Sequence, residues 1–203
     1  MFFLSGKGCS EFPKRMLISI GILTYNPAWT RREIICFSVV CLLATLWAGY
    51  LLWHKKILLS QAVSGILLLI FLGIVFGSTV FARQPKDYRE YKLELFWSWR
   101  EVFRGHQELL KENLLNILLL APGGFLLPSL FHKKLPWWCG LVIGLIISAG
   151  IEIGQLVLCR GLFEWDDMVH NSFGCMLGLW CGNAKITIWN QMIKEWRKMV
   201  SDE

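Results

Sequence analysis

The chain has little charge. Of 203 residues only 18% are Asp, Glu, Lys or Arg, while 55% are apolar, and the mean hydropathy is +0.47. That balance excludes an ordinary soluble domain of this size, which has no use for so much hydrocarbon. Histidine is scarce, with four residues, and the seven cysteines include no Cys-x-x-Cys pair. Neither a metal framework nor a disulfide framework is indicated, and the cysteines read as small apolar packing residues. His-Glu-x-x-His and Gly-x-Ser-x-Gly are both absent, which removes two common hydrolase signatures. Met1–Leu4 is too short an apolar start, and Met16–Leu23 is only eight residues, so a cleavable leader is not expected.

What the chain has instead is long uncharged apolar runs. Ile34–Trp53, Ile57–Ala82, Leu114–Phe131 and Leu135–Ile151 are four of them, the last continuing to Cys159 apart from Glu152 and Gln155; Asp167–Ala184 is a fifth, interrupted by His170 and Asn171. A bilayer core of ~30 Å needs about 20 helical residues at ~1.5 Å each. Lipid offers no partner to backbone N–H and C=O groups, so each run is expected to be a helix. The expected fold is therefore all-α, a polytopic transmembrane bundle of about five spans near 34–53, 57–82, 113–131, 135–158 and 166–185. A polar N-terminal tail (1–33) and a charged C-terminal tail (190–203) flank the membrane domain, 34–189. Trp53, Trp97, Trp99, Trp137, Trp138, Trp165 and Trp189 fall near segment ends, as an interfacial aromatic belt requires; Trp47 and Trp180 read as packing aromatics.

The one long connection, 83–112, carries Leu95, Phe96, Trp99, Val102 and Phe103 at helical spacing, which predicts a short helix lying in the headgroup plane. The loops His54–Lys56 and His132–Lys134 are short and purely basic, and on positive-inside grounds they are expected on the cytoplasmic side, with the 83–112 loop on the other.

Polar residues that interrupt the apolar runs mark function by default. Asn113 and Asn116 open the third run, Glu152 and Gln155 come near the end of the fourth, and Asp166, Asp167 and Asn171 open the fifth, with Arg160 between. Alternating spans are antiparallel, so all these places fall at one membrane face, and a polar cup is expected there under the 83–112 loop. The i, i+3 and i, i+4 spacings put each pair on one side of its helix. Gly140, Gly144, Ser148 and Glu152 form one i+4 row and Gly174, Gly178 and Gly182 another; close packing of the fourth and fifth spans along these rows is expected. Pro122, followed by Gly123 and Gly124, predicts a kink or break near mid-membrane, and Pro128 predicts the end of the same span.

On these residues the chain resembles the VanZ-like family. The family pattern is an Asn, a short apolar run, Pro-x-Gly, then Ser, Glu-x-x-Gln, Arg, an acidic pair, Asn and Gly. Here it is matched by Asn116, Pro122-Gly123-Gly124, Ser148, Glu152, Gln155, Arg160, Asp166, Asp167, Asn171, Gly174 and Gly178. The likeness covers about residues 113–182, with a weaker stretch from Phe81 to Ser98. Leu120-Ala121 replaces the aromatic and apolar pair usual before the proline, and the first span looks additional to the family core. The resemblance implies an integral membrane protein associated with low-level resistance to the lipoglycopeptide teicoplanin. It supplies a phenotype rather than a reaction.

Two functions follow as expectations. The first is a non-enzymatic, multi-pass protein of the cell membrane and envelope. It would bind a membrane lipid or a lipid-linked or lipid-tailed small molecule through Asn116, Glu152, Gln155, Arg160, Asp166, Asp167 and Asn171, with Arg83, Arg104 and Arg160 suited to a phosphate or carboxylate. The second is an enzyme acting on a lipid-linked cell-wall substrate through Glu152, Asp166 and Asp167. No cofactor, resident metal or nucleic-acid partner is expected. Dipole and free N–H groups at the start of the fifth span favour negative charge, so a capping role is expected for at least one of Asp166 and Asp167.

Overall fold

The computed structural model describes residues 29–201; the expectations for residues 1–28, including the absence of a leader, lie outside the described residues. The chain is an all-α bundle. Its helices are α1 (Arg31–Trp53), α2 (Leu59–Phe76, prolonged by a π-helical stretch at Gly77–Phe81), α3 (Trp97–Phe103), α4 (Gln107–Leu130), α5 (Trp137–Val157) and α6 (Trp165–Ser201). Two strands that periodicity did not suggest, β1 (Glu90–Lys92) and β2 (Leu162–Glu164), pair in parallel with Glu90 opposite Leu162 and Lys92 opposite Glu164. This ribbon ties the long loop to the α5–α6 connection.

Four helices, α1, α2 with its π-helical end, α4 and α5, are long and apolar enough to cross a membrane. The fifth expected span, 166–185, is the first half of the 37-residue α6, which is less apolar than those four. His170, Asn171, Asn183 and Lys185 dilute its apolar content. It lies at the centre, with its most extensive contacts to α4 and α5, and it buries Met168, Cys175 and Leu179. The expected charged tail is helical as well, as α6 continues through Ser201.

Three helix ends are made without glycine, whereas α3 ends at Gly105 with a φ of 107°. Lys55, His132 and Cys159 each take a left-handed conformation just past α1, α4 and α5. In each case the next amide returns to a carbonyl five residues back: Lys56 to Leu51, Lys133 to Pro128 and Arg160 to Gln155. These are Schellman turns, normally signalled by Gly.

Helix α4 runs unbroken through Pro122 and Pro128 to Leu130, so of the kink or break expected at Pro122 the break does not occur, and neither does the stop at Pro128. Neighbouring helices support this stretch. Gly123 lies against Phe71 of α2, and a Cβ on Gly124 would stand 2.0 Å from the Cys175 carbonyl oxygen of α6. Gly124 here lets the backbones of α4 and α6 touch.

The small-residue rows do bring helices together, but not as one seam. The α5 row meets α6: a Cβ on Gly140 or Gly144 would lie within 2.8 Å of Met176 or Ser172. The α6 row faces α4 instead. A Cβ on Gly174, Gly178 or Gly182 would meet the carbonyl oxygen of Ile117, Ala121 or Phe125 at 1.7, 1.9 and 2.6 Å. The central helix thus spends its glycines on α4 and offers Asn171, Ser172 and Met176 to α5. Trp47 and Trp180, read as packing aromatics, are 64% and 68% exposed.

Candidate functional site

The registers of the helix pairs place one end of α2, α4, α5 and α6 together. Gln61 of α2 meets Leu130 of α4, and Phe76 and Val80 of α2 meet Gly150 and Gly154 of α5. Ile117, Ala121 and Phe125 of α4 run alongside Gly174, Gly178 and Gly182 of α6. Phe81, the start of α4, the end of α5 and the start of α6 therefore share one rim, where the 83–106 segment folds over them.

The rim residues bond to one another. Asp167 accepts from Asn116 Nδ2 at 2.5 Å, so two of the three expected stretches meet directly. Glu152, 1% exposed, accepts from the Glu164 amide at 3.0 Å and feels the charges of Asp167 and Arg83. Gln155 Oε1 accepts from Arg83 Nη1 at 3.4 Å. Gly161 makes room for that contact, since a Cβ there would sit 2.2 Å from Gln155 Oε1. Arg160 donates to the Phe81 carbonyl, capping the π-helical end of α2. Asn171 donates to Ser148 Oγ at 2.8 Å, one layer deeper between α5 and α6.

Asp166 is the best-satisfied group. Its carboxylate accepts from the Phe96 amide, from the Ser98 amide at 3.0 Å and from Ser98 Oγ at 2.6 Å. It therefore caps α3 rather than its own helix. A helix start leaves free N–H groups that a carboxylate satisfies well, and Phe96 enters with a left-handed φ of 59°. Helix α3 exists as the spacing predicts, but the predicted face divides. Ser98 and Val102 turn inward, while Leu95, Phe96 and Phe103 are exposed. Trp99 Nε1 donates to His170 Nε2 at 2.7 Å, a second clasp between α3 and α6. Because Nε2 accepts, the neutral imidazole carries its proton on Nδ1.

Sequence reasoning missed three members of this rim. Ser98 and Trp99 lie in the loop helix, where apolar spacing drew attention away from their polar atoms. Glu164 sits on β2, and one of its oxygens is buried without a partner. Burial, then the negative charges of Asp167 and Asp166, push its carboxyl from 4.5 up to about 7, against the opposing charge of Lys92. Lys92 itself stands over the Trp97 ring at 3.3 Å. Far from the rim, Asn183 was also missed: its amide donates to the Leu135 carbonyl at 2.7 Å and accepts from the Leu135 amide at 3.1 Å, pinning the α4–α5 connection.

Beyond Glu164 Oε1, the buried side-chain atoms without a hydrogen-bond partner among the described residues are Trp97 Nε1, Asn113 Nδ2, His170 Nδ1 and Asn171 Oδ1. All belong to α3, the first turns of α4, β2 or the first turns of α6. Three are N–H donors. Leaving a buried polar group unpaired costs about 1–3 kcal/mol, so such atoms in a native fold call for a partner. Among the described residues, no group of three His, Cys, Asp or Glu side chains is arranged to hold a metal ion.

No solved structure matches the chain. A family model described as VanZ/LLP1 matches residues 63–186, from the first turns of α2 into α6; α1 stands outside it. With four helices fit to cross a bilayer, this is a membrane protein. The matched region is well over half of the chain and holds the entire polar rim of α2, α4, α5 and α6, and the chain belongs to the VanZ/LLP1 family.

Proposed function

We propose that this is a multi-pass protein of the bacterial cell membrane that binds the polar head of a lipid or lipid-tailed molecule at the rim. It does so without transforming the ligand, and through that binding it contributes to glycopeptide (teicoplanin) tolerance. The supporting observation is the set of buried donors without a partner among the described residues, Trp97 Nε1, Asn113 Nδ2 and His170 Nδ1, at the same rim as the exposed Arg83, which donates to Gln155 Oε1 at 3.4 Å. Donors without acceptors suit an acceptor-rich head, a phosphate, carboxylate or sugar. Asp166 and Arg160 serve the protein's own loop and helix end, and the ligand role falls to Arg83, Asn113, Asn116, Glu152, Gln155, Asp167 and Asn171.

The test uses the full chain in lipid nanodiscs with teicoplanin as the probe. Arg83→Gln and Asn113→Ala are expected to weaken binding by tenfold or more with the protein still monodisperse; unchanged binding in both variants defeats the proposal. The antibiotic reaches the rim only from outside the cell. A cysteine at Glu164 is therefore expected to react with an impermeant thiol reagent on intact cells, and one at Lys133 is not. The reverse pattern places the rim inside and rules the antibiotic out.

A second reading, an enzyme working on a lipid-linked cell-wall substrate through Glu152, Asp166 and Asp167, draws on one observation. Glu164, next to this cluster, titrates near neutrality at about 7, where a general acid or base is most effective. The three bonds on Asp166 count against that residue as a catalyst. Turnover of a radiolabelled lipid-linked substrate that disappears in Glu164→Gln would favour this reading over simple binding.

A further inference from the structure

At the other end of the bundle the chain leaves a crevice. Close docking on α2 is confined to the start of α1, through Phe37 and through Trp29 just before the helix. Trp29 and Phe37 press onto α2 where Gly77 and Gly73 leave room, and a Cβ at those glycines would fall 1.9 and 2.1 Å from the rings. Toward the α1–α2 loop the facing residues are small but not interlocked. Ala44 and Ala48 of α1 oppose Ala62 and Gly65 of α2, and a cavity of about 310 Å³ opens there. Trp47, Leu51, Ile57, Ile66 and Leu130 complete an apolar wall, with Gln61 the single polar residue. Gln61 uses its own groups on the Leu58 amide and the Leu130 carbonyl, so it offers the crevice little polarity. The crevice reaches from Ile57, beside the loop, to Ala44; from Leu51 to Ala44 alone it follows α1 for about 10 Å at ~1.5 Å per residue.

The mouth of this crevice is basic. The exposed residues His54, Lys55 and Lys56 connect α1 to α2, and His132, Lys133 and Lys134 follow α4. The two loops lie at the same end of the bundle, because Gln61, just after the first, bonds to Leu130, just before the second, at 3.1 Å. Neither stretch, 54–60 or 129–136, contains an Asp or Glu. An apolar slot running inward from a mouth with four lysines and no acid suits the chemistry of a lipid with a hydrocarbon tail and a negatively charged head.

We propose that the crevice between α1 and α2 holds one acyl chain of an anionic phospholipid, whose phosphate rests on Lys55 and Lys56 with Lys133 and Lys134 at the second side. The site is separate from the rim and independent of the reading given for it. A lipid wedged here fills the volume left by the alanines and joins α1, which buries no residue of its own, to the rest of the bundle.

Native mass spectrometry of the full chain in detergent, titrated with phosphatidylglycerol or with phosphatidylcholine of identical chains, tests this. Phosphatidylglycerol is expected to bind more tightly. The double variant Lys55→Gln/Lys56→Gln is expected to weaken its binding about 25-fold, about fivefold per lysine, and to leave phosphatidylcholine unaffected. Ala48→Phe, which fills the slot, is expected to abolish the tight site for phosphatidylglycerol with all lysines in place. Gly65→Val serves the same purpose if Ala48→Phe is not monodisperse, since a Cβ at Gly65 makes only ordinary contact with Leu130, at 3.4 Å. Equal binding of the two lipids overturns the proposal. So does phosphatidylglycerol binding that survives filling of the slot, which would reduce the effect to surface attraction.

Discussion

Asp166→Ala separates a scaffold role from a ligand role at the rim. The carboxylate accepts from two amides and one hydroxyl of the 96–98 turn, and it is 2% exposed. Hydrogen bonds to a charged group contribute about 1.5–3 kcal/mol each. They share one carboxylate, so their sum is not additive. About 3 kcal/mol for docking of the 93–104 segment is a conservative figure, and by the rule of tenfold per ~1.4 kcal/mol it corresponds to on the order of a 100-fold change in the opening equilibrium. Amide hydrogen exchange in lipid nanodiscs reads this directly. The Phe96 and Ser98 amides are expected to exchange on the order of 100-fold faster in Asp166→Ala, with the α4–α6 interface unchanged. Asp166→Asn is expected to be nearly as severe, because one end of its amide would face a backbone N–H with a donor. Ser98→Ala removes only the hydroxyl bond and is expected to cost about 1.5 kcal/mol, the lower end of that range. Unaltered protection at Phe96 and Ser98 in Asp166→Ala would show that the carboxylate does not hold α3, and the scaffold role would fail.

Three further outcomes follow from the geometry. Gly178→Val puts a Cβ 1.9 Å from the Ala121 carbonyl oxygen, where nothing flexible can yield; a destabilisation of at least about 1–3 kcal/mol is expected as a lowered Tm in detergent, while Gly150→Ala, with Phe76 at 3.4 Å, is expected to change Tm little. Glu164 has a folded-state pKa of about 7 against an ordinary value of 4.5, so the native state holds its proton more tightly. Its contribution to stability is complete below about 4.5 and is lost as pH rises through about 7. Glu164→Gln is expected to flatten the fall of Tm across that window, and an unchanged slope would refute the assignment. Asn183→Leu leaves both the Leu135 amide and carbonyl without their partners, with an expected loss of about 1–3 kcal/mol and faster proteolysis between α4 and α5; an intact connection would contradict the pairing.

Much of the rim was legible because its residues break an apolar pattern. Asn116, Glu152 and Asp167 stand out where lipid tolerates no idle polar group, and alternation of spans alone puts them at one end. Their roles were not legible. Asp166 and Asp167 are neighbours of like chemistry, yet one caps α3 and the other meets Asn116, because consecutive residues on a helix point about 100° apart. Glu164 carries no spacing signal, as its burial comes from a strand pairing that forms only after α5 and the long loop have met. The glycine row of α6 announced close packing, but a repeat of small residues names no partner. That partner is α4, where the α6 glycines meet the carbonyl oxygens of Ile117, Ala121 and Phe125 and Gly124 meets the Cys175 backbone.

Composition and periodicity by themselves determined a helical membrane bundle with its polar residues at one rim, since a hydrocarbon solvent permits few other solutions for such a chain. Only the tertiary structure decided that the least apolar long helix is the central one, that α3 hangs on a carboxylate seventy residues away, and that donors at the rim remain open. Those outcomes depend on which surfaces meet, and long-range contact is a property of the packed chain rather than of any window of its sequence.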